Sequence, residues 1–336
     1  MSFSVGEYLS GVDVRLLDSS EGRRLLTRLD PLMFALVYLP HHLRGADTGG
    51  AVSLSPFHVD MASEAKSWLR AGGEPMEHRN AYIAPRGGGK STWAFLILPL
   101  WAAAHGHLRF VAAFAASARQ AEDHLTSFKR ELGENKALRA DFPDLVSPGV
   151  RPSGSTVSDN RGMYYAKSKF VFAARGIDSS SLGLKIGNQR PDLLLFDDIE
   201  PDEANYSPYQ KEQRLKTVRQ SVFPMSIYAK VVMVGTTTMY QSIMHDVVRS
   251  VTDPSNAPEW VAEERIKAHY YPPILTNEDG SEASLWPEKW PLEFLRSIRT
   301  TRQYRLNYAN QPDSGDGGYW QASDFKYGEP QAVTKV

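Results

Sequence analysis

An α/β fold with a mostly parallel sheet is predicted by three features of this sequence. They are alternating strand-like and helical segments, a glycine-rich turn after an early strand, and an acidic cluster after a later one. Apolar runs predict strands at 81–84, 109–114, 170–173, 193–196 and 230–234. Helical patterns separate them at 91–104, 117–132 and 208–222. Several apolar runs lack polar alternation, which is typical of strands that helices cover on both faces.

Composition limits the classes of protein that this chain can belong to. Its 336 residues suit one large domain with appendages, and 42% apolar and 23% charged residues are ordinary for a soluble globular protein. No apolar run has the length of a membrane span, and the N-terminus lacks the pattern of a signal peptide. The absence of cysteine excludes disulfides, thiolate metal sites and thiol catalysis, so we expect a reducing cytosol. With a net charge of −1, a nucleic-acid partner would require a local basic surface.

The pattern along the chain predicts three regions. Residues 1–50 are predicted to be an amphipathic helical region, residues 51–270 the α/β domain, and residues 271–336 a linker or lid segment with a flexible tail. The residues of the first region that are available for burial are Leu25, Leu26, Leu29, Leu32 and Phe34.

The glycine-rich turn is the strongest single motif. It reads Ala84-Pro85-Arg86-Gly87-Gly88-Gly89-Lys90-Ser91-Thr92 and lies between a strand and a helix, as in the P-loop or Walker A motif. Glycines let backbone N–H groups converge on phosphate oxygens, Lys90 would reach the β- and γ-phosphates of ATP, and Ser91 would bind Mg²⁺. Ala84 replaces the usual first glycine. The alternative is an ordinary strand–helix turn capped by Ser91.

An acidic cluster follows the predicted strand at 193–196. Asp197, Asp198 and Glu200 lie directly after it, as in a Walker B motif. We expect Asp197 to be the Mg²⁺-side carboxylate, and Asp198 or Glu200 to activate the attacking water. Acidic residues after a strand are also common in plain loops. Together, however, the two motifs predict an NTP-hydrolysing site, and the strands between them predict a RecA-like P-loop fold with an extra strand.

Hydroxyl side chains follow the next predicted strand, at 230–234. Thr236, Thr237 and Thr238 could sense the γ-phosphate and couple its loss to an adjoining segment. Alternatively, threonine simply suits strand ends.

Four sets of motifs together resemble one protein family, the large terminase subunit of tailed bacteriophages. The resemblance spans about residues 55–312 and is carried by residues 83–92, 128–135 with 141–143, 174–176 with 190–200, and 284–290 with 308–312. It implies the ATPase portion of a DNA-packaging motor, which uses ATP and Mg²⁺ to move double-stranded DNA into a procapsid. It also implies a homo-oligomeric ring, commonly a pentamer, with a portal protein and a small terminase subunit as partners. The expected place is the host cytoplasm, with transient docking on the portal and no membrane partner.

The resemblance also implies roles for arginines. A neighbouring subunit would supply an arginine finger, for which Arg175 is the first candidate and Arg190 the second. Either could instead be a loop arginine that pairs with the acidic cluster. Arg86 would lie near the phosphates of its own subunit. The family's Leu-Arg-Gly upstream of Walker B is replaced here by residues 181–184, Ser-Leu-Gly-Leu, so no finger is carried over for that position.

The C-terminal nuclease domain of the family has no counterpart in this sequence, so we expect no DNA cleavage. The residues that could contact DNA are Lys129, Arg130, Arg161, Lys167, Lys169, Arg296, Arg299, Arg302 and Arg305. Phe57 and His58 could contact the nucleotide base or belong to the core. Two other functions stay open: another P-loop DNA translocase or helicase, and an assembly factor that binds a nucleotide without hydrolysing it.

Overall fold

The computed structural model describes residues 3–45, 50–70, 73–179, 183–200, 207–237 and 239–312. The α-helices are α1 (Val5–Leu9), α2 (Ser20–Thr27), α3 (Pro31–Tyr38), α4 (Pro56–Ala65), α5 (Lys90–Thr92), α6 (Leu98–Ala104), α7 (Ala118–Glu134), α8 (Lys136–Asp141), α9 (Pro143–Val146), α10 (Pro208–Thr217), α11 (Ile243–Thr252), α12 (Glu259–Glu263), α13 (Leu292–Ile298) and α14 (Arg302–Asn307). The strands are β1 (Arg79–Ile83), β2 (Phe110–Ala115), β3 (Met163–Tyr165), β4 (Val171–Gly176), β5 (Leu193–Asp197), β6 (Lys230–Gly235), β7 (Lys267–Tyr270), β8 (Ile274–Thr276) and β9 (Glu282–Ser284).

Among the described residues, seven strands form one sheet in the order β3-β4-β2-β5-β6-β1-β7. All neighbours pair in parallel except β3, which is antiparallel to β4. The predicted α/β class and parallel sheet are therefore confirmed. β6 lies between β1 and β5, the strands that carry the two predicted nucleotide motifs, which is the extra-strand arrangement expected of a RecA-like P-loop fold.

Both faces of the sheet are buried, and this explains the continuous apolar runs. On β5, Leu193 and Leu195 belong to one core cluster, whereas Leu194 and Phe196 belong to the cluster on the opposite face. The first cluster includes residues of α3, α4 and α7, and the second includes residues of α11 and α12. A strand covered on both sides requires apolar residues at every position, because neither face is open to water.

The helix after the glycine-rich turn is not uniform. It begins as α5, forms a π-helical segment at Trp93–Ile97 and continues as α6. Pro99 accounts for this change, because proline has no N–H for the carbonyl four residues earlier and its ring collides with that carbonyl. The predicted helix at 91–104 is thus present, with a π segment that its proline causes.

The N-terminal helices join the core of the sheet instead of forming a separate one. Phe34 is fully buried and Leu32 is 3% exposed, as predicted, and both belong to the same cluster as residues of the sheet. The predictions for Leu25 and Leu29 were wrong, since these side chains are 65% and 61% exposed. In α2 the buried positions are Gly22 and Thr27, whereas Leu25 is exposed and Leu26 is partly buried.

Several elements were absent from the sequence prediction. The edge strands β3 and β7 and the hairpin β8–β9 are short and poor in apolar runs. The helix predicted at 117–132 is α7, which has Ser117 as its N-cap and runs to Glu134, two residues past the predicted end. Residues after β7 have a small apolar cluster that includes Trp286, Trp290, Leu295 and Tyr304. Within the described residues, none of the helices has the length and hydropathy to cross a membrane.

Candidate functional site

The candidate site lies where β1, β6 and β5 end side by side. Parallel neighbours deliver their carboxyl ends to the same edge of a sheet, which is where α/β proteins bind ligands. The glycine-rich turn follows β1, Thr236 follows β6, and Asp197 is the last residue of β5. The two motifs that the sequence singled out are therefore brought together by the strand order.

The turn has the backbone shape that a phosphate-binding loop requires. Gly87 and Gly89 have φ of 77° and 84°, a left-handed conformation that side chains other than glycine rarely adopt. At Gly88 a Cβ atom would lie 3.0 Å from the carbonyl oxygen of Pro85 and 3.4 Å from the ring of Phe57. The run of three glycines therefore has a steric reason at each position.

The ammonium group of Lys90 is buried beneath this loop. Its Nζ donates to the carbonyl oxygens of Ala84 at 2.6 Å and Pro85 at 3.1 Å, and to Oγ1 of Thr236 at 3.2 Å. Burial lowers the pKa of Lys90 to about 8, although the nearby carboxylates of Asp198 and Asp197 act in the opposite direction. A phosphate group beside this lysine would favour its charged form.

Ser91 and Asp197 form a hydroxyl–carboxylate pair between the two motifs. Ser91 Oγ donates to Asp197 Oδ1 at 3.0 Å, across 106 positions of sequence. The other carboxylate oxygen of Asp197 lies 2.8 Å from Nε2 of His124, whose ring stacks on Phe95. A hydroxyl and a carboxylate at this separation are oxygen ligands of the kind that Mg²⁺ prefers.

The other two acidic residues have different environments. Asp198 is exposed, has a φ of 37° and accepts a hydrogen bond at Oδ1 from the backbone N–H of Thr236 at 3.1 Å. Glu200 accepts from the backbone N–H groups of Ile243 at 2.8 Å and Met244 at 3.2 Å, at the start of α11. Asp198 thus contacts the end of β6, whereas Glu200 binds the N-terminus of a helix.

A buried histidine, His58, holds the glycine-rich turn through a hydrogen bond to its backbone. Nδ1 of His58 accepts from the N–H of Ser55 at 3.0 Å, so Nε2 carries the hydrogen and donates to the carbonyl oxygen of Gly88 at 2.7 Å. Burial lowers the pKa of His58 to about 3 and keeps the ring neutral. The ring stacks on Trp93 and meets Trp286 edge to face. His58 and the fully buried Phe57 are therefore core residues that contact the loop.

The C-terminal segment contacts the same loop and the end of β6. The N–H of Arg86 donates to the carbonyl oxygen of Asn307 at 2.7 Å. Asn310, which is fully buried, accepts at Oδ1 from the N–H of Thr237 at 2.8 Å, and the carbonyl oxygen of Ala309 accepts from the hydroxyl of Tyr270 at 2.6 Å. Residues after β9 thus connect the phosphate-side loop to the predicted coupling threonines.

The predicted arginines lie at different places. Arg86 is exposed and its guanidinium lies 3.4 Å from the side-chain oxygen of Asn307. Arg175, at the carboxyl end of β4, donates to the carbonyl oxygens of Gly162 at 2.9 Å and Ala174 at 2.7 Å. Arg190 is exposed before β5. Arg86 thus lies within the loop, whereas Arg175 lies at the end of β4, which β2, β5 and β6 separate from β1.

Thr237 and Thr238 complete the predicted coupling set. Thr237 is fully buried, and among the described residues its hydroxyl has no hydrogen-bond partner. Thr238 lies outside the described residues.

The residues present fit a magnesium-bound nucleoside triphosphate. The glycine-rich loop gives the backbone conformation for phosphate, Lys90 gives the positive charge, and Ser91 with Asp197 gives oxygen ligands for Mg²⁺. These roles stay predictions for the individual residues.

The sequence analysis did not identify His124, although the sequence contains a pattern that could have identified it. His124 lies on the same face of α7 as Ala121, Leu125 and Phe128, which are buried against the sheet. A titratable residue on an apolar helix face is the pattern that points to it. Asn310 lies within a segment that the family resemblance covered, but its contact with Thr237 spans 73 positions and has no local signature.

No protein-family model and no curated protein matches this chain. Among solved structures, it is similar to the large terminase of bacteriophage HK97, with a TM-score of 0.47 and 11% identity over 83% of this chain. The match covers 55% of that protein, so this chain spans about half of its length. It is also similar to the large terminase ATPase domain of Thermus phage P74-26, with a TM-score of 0.38 and 12% identity, over 73% of this chain and 96% of that domain. Because these identities and TM-scores are low, the function of this chain has to be inferred from its own residues.

Proposed function

We propose that this chain is the ATPase portion of a phage DNA-packaging motor, which hydrolyses ATP with Mg²⁺ and moves double-stranded DNA into a procapsid. The observation that carries the ATPase part is the convergence of Lys90, Ser91 and Asp197 at the shared edge of β1 and β5. A strand, a glycine-rich turn and a helix that begins with a buried lysine form a motif whose well-known use is to bind phosphate groups. The motor part rests on the sequence motifs that resemble large terminases.

Each residue of the site has a distinct task in this proposal. The backbone of residues 85–89 and Lys90 bind the phosphates, with Thr92 beside them at the start of the helix. Bound Mg²⁺ supplies neutralisation of the charge that develops on the phosphates during transfer. Ser91 and Asp197 are the residues that would hold the ion.

Asp198 is our choice for the residue that orients and deprotonates the attacking water. Its carboxylate accepts from the N–H of Thr236, whose hydroxyl accepts from Lys90, so one residue connects it to the phosphate-binding lysine. Glu200 is less suited, because both of its carboxylate oxygens already accept from backbone N–H groups at the start of α11. Thr236 touches both Lys90 and Asp198 and therefore links the two halves of the site.

Arg175 has a position that suits a finger acting on a neighbouring subunit. β4 and β1 are separated in the sheet by β2, β5 and β6, so their ends are about 19 Å apart at the usual strand spacing. An arginine cannot reach its own glycine-rich loop over that distance. Mixing Lys90→Ala chains with Arg175→Ala chains tests this role, since a shared site would regain turnover at interfaces between the two variants. No regain of turnover in assembled mixtures would contradict it.

DNA contact would depend on basic residues that are not neutralised within the chain. Several of the sequence-predicted residues have acidic partners: Lys129 pairs with Asp159, Lys167 lies 2.8 Å from Asp144, and both Arg296 and Arg299 pair with Glu282. Arg130 and Arg161 are exposed, and we propose them ahead of the paired residues as contacts to the phosphate backbone. In the proposed assembly, several copies of this chain form a ring around double-stranded DNA. The portal protein and the small terminase subunit are its other partners.

Phosphate release from ATP by the purified chain, with and without double-stranded DNA, tests the function. We expect turnover that requires Mg²⁺, rises with DNA and is lost in Lys90→Ala. Binding of ATP without turnover in the assembled, DNA-bound state would favour a nucleotide-dependent assembly factor instead. Separation of the strands of a forked duplex would favour a helicase.

A further inference from the structure

A cluster of three candidate metal ligands lies outside the glycine-rich loop. Nε2 of His41 and Nε2 of His42 each lie 2.9 Å from Oε1 of Glu131. The three donor atoms lie within 4.8 Å of one another. The histidines belong to the 3₁₀ turn Pro40–His42 after α3, and Glu131 belongs to the last turn of α7, so the cluster joins two elements that are about 90 positions apart.

The imidazole rings of His41 and His42 both point toward the same carboxylate oxygen of Glu131. Neighbouring residues of a 3₁₀ helix point about 120° apart, so adjacent side chains have no reason to meet. Here, however, both rings turn toward one carboxylate oxygen, with their centroids 4.4 Å apart. Convergence of two imidazole nitrogens and one carboxylate oxygen is the donor set of many zinc sites.

Glu131 is held in a fixed orientation by a further residue. Nδ2 of Asn135 donates to Oε2 of Glu131 at 3.1 Å and to the carbonyl oxygen of Tyr38 at 2.7 Å. The oxygen that faces the histidines is therefore the one left for a metal. Such support by a hydrogen-bonded neighbour is usual for residues that bind metals.

The site has an entry path and room for a fourth ligand. The side chains of His41 and His42 are 54% and 30% exposed, whereas that of Glu131 is 10% exposed. All three line a cavity of about 760 Å³ that also reaches Ser91 and His124. A tetrahedral zinc ion places its ligands about 3.4 Å apart, so the exposed rings would move outward by about half an ångström.

We propose that His41, His42 and Glu131 bind a divalent transition metal, with Zn²⁺ as the best match, and that this ion pins the segment after α3 to the end of α7. Imidazole nitrogen with a carboxylate oxygen suits Zn²⁺ better than Mg²⁺, which prefers oxygen ligands alone. The fourth position faces the cavity and would take water. This proposal does not depend on ATP hydrolysis, because none of the three residues belongs to the nucleotide site.

Zinc titration of the full chain by calorimetry tests the proposal, with tag-free protein stripped of metal and with no nucleotide or Mg²⁺ present. We expect one Zn²⁺ per chain in the wild type. A double variant, His41→Gln with His42→Gln, and a single variant, Glu131→Gln, should each bind at least about tenfold more weakly. His245→Gln, which changes a histidine outside the cluster, should bind as the wild type does.

A further variant separates this site from the nucleotide site, since His124 and Asp197 could also attract a transition metal. His124→Gln should keep zinc binding. Loss of binding in His124→Gln with full binding in the double histidine variant would overturn the proposal, as would equal zinc affinity in all variants. If Glu131→Gln proves unfolded when free of metal, the double variant of the two exposed histidines still decides, and the visible spectrum of bound Co²⁺ gives an independent measurement of the ligand set.

Discussion

The loop after β1 and the loop after β5 are neighbours in space but are held in different ways. Two buried side chains support the first: Lys90 donates to the carbonyl oxygen of Ala84, and His58 donates to that of Gly88. The carbonyl oxygen of the half-buried Asn307 also accepts from the N–H of Arg86. The second begins with Asp197, which is half-buried, and Asp198, which is exposed to solvent. We infer that the phosphate-binding half is preorganised, whereas the hydrolytic half can adjust. Binding and hydrolysis of ATP should therefore respond differently to substitution.

The largest loss of ATP turnover should come from a substitution in the phosphate-binding loop after β1. Lys90→Ala removes the buried positive charge, and we expect ATP turnover to fall by roughly 10²–10³-fold or more, with weaker nucleotide binding as well. Phosphate release and fluorescence-based nucleotide titration measure the two effects. Lys185→Ala, which changes an exposed lysine before β5, is the matched control and should behave as the wild type does. Unchanged turnover in Lys90→Ala would refute the assignment of the loop.

The support of the loop by His58 predicts a dependence of stability on pH. Because burial lowers the pKa of His58 from 6.5 to about 3, the unfolded chain binds a proton that the folded chain does not. This contribution to the free energy of unfolding is complete above pH 6.5 and is lost progressively as pH falls toward 3. At pH 5 the wild type should have lost about 2 kcal/mol from this group.

Urea denaturation of the wild type and of His58→Gln, at pH 7.5 and at pH 5, measures the difference. The glutamine variant should be less stable at pH 7.5 and should lose less stability on acidification. Parallel losses in the two proteins would mean that another group causes the pH dependence.

A smaller effect should follow from loosening the link between the C-terminal segment and β6. Asn310→Ala leaves the buried N–H of Thr237 without its acceptor, which should cost about 1–2 kcal/mol of unfolding free energy. Asn307→Ala is the control, because it keeps the backbone oxygen that accepts from the N–H of Arg86 and removes only the 3.4 Å contact of its side chain with the exposed Arg86 guanidinium. Denaturation, together with limited proteolysis of the C-terminal segment, measures the difference. If both variants lose the same stability, the Asn310 bond has no special role.

The sequence predicted what depends on local pattern. Strands buried on both faces are recognisable as apolar runs, and the glycine-rich turn with the acidic cluster after β5 has a known spacing, so their meeting at one edge could be expected. The edge strand β7 was missed because its residues are only partly buried and mostly polar. α2 packs against the carbonyl oxygen of Leu16 through Gly22, where a Cβ atom would lie 2.1 Å from that oxygen, while Leu25 and Leu29 are exposed.

Contacts between distant residues could not be predicted in this way. His124 meets Asp197 because α7 packs on β4 and β2, and β2 is the neighbour of β5 in the sheet. Asn310 meets Thr237 across 73 positions of sequence. Nor does sequence alone show that Glu200 binds the start of α11 while Asp198 bonds to Thr236, which also contacts Lys90. The strand order therefore determines which of several plausible residues meet.

The most direct test of the account compares Asp198→Asn with Glu200→Gln in ATP affinity and in turnover. If the two loops divide binding from hydrolysis, Asp198→Asn should lose at least about 10²-fold in turnover while its ATP affinity stays within a few-fold of wild type. Glu200→Gln should keep most of its turnover and lose roughly 1 kcal/mol of stability, because it weakens the cap of α11. Full turnover in Asp198→Asn, or a greater loss of turnover in Glu200→Gln than in Asp198→Asn, would contradict the account.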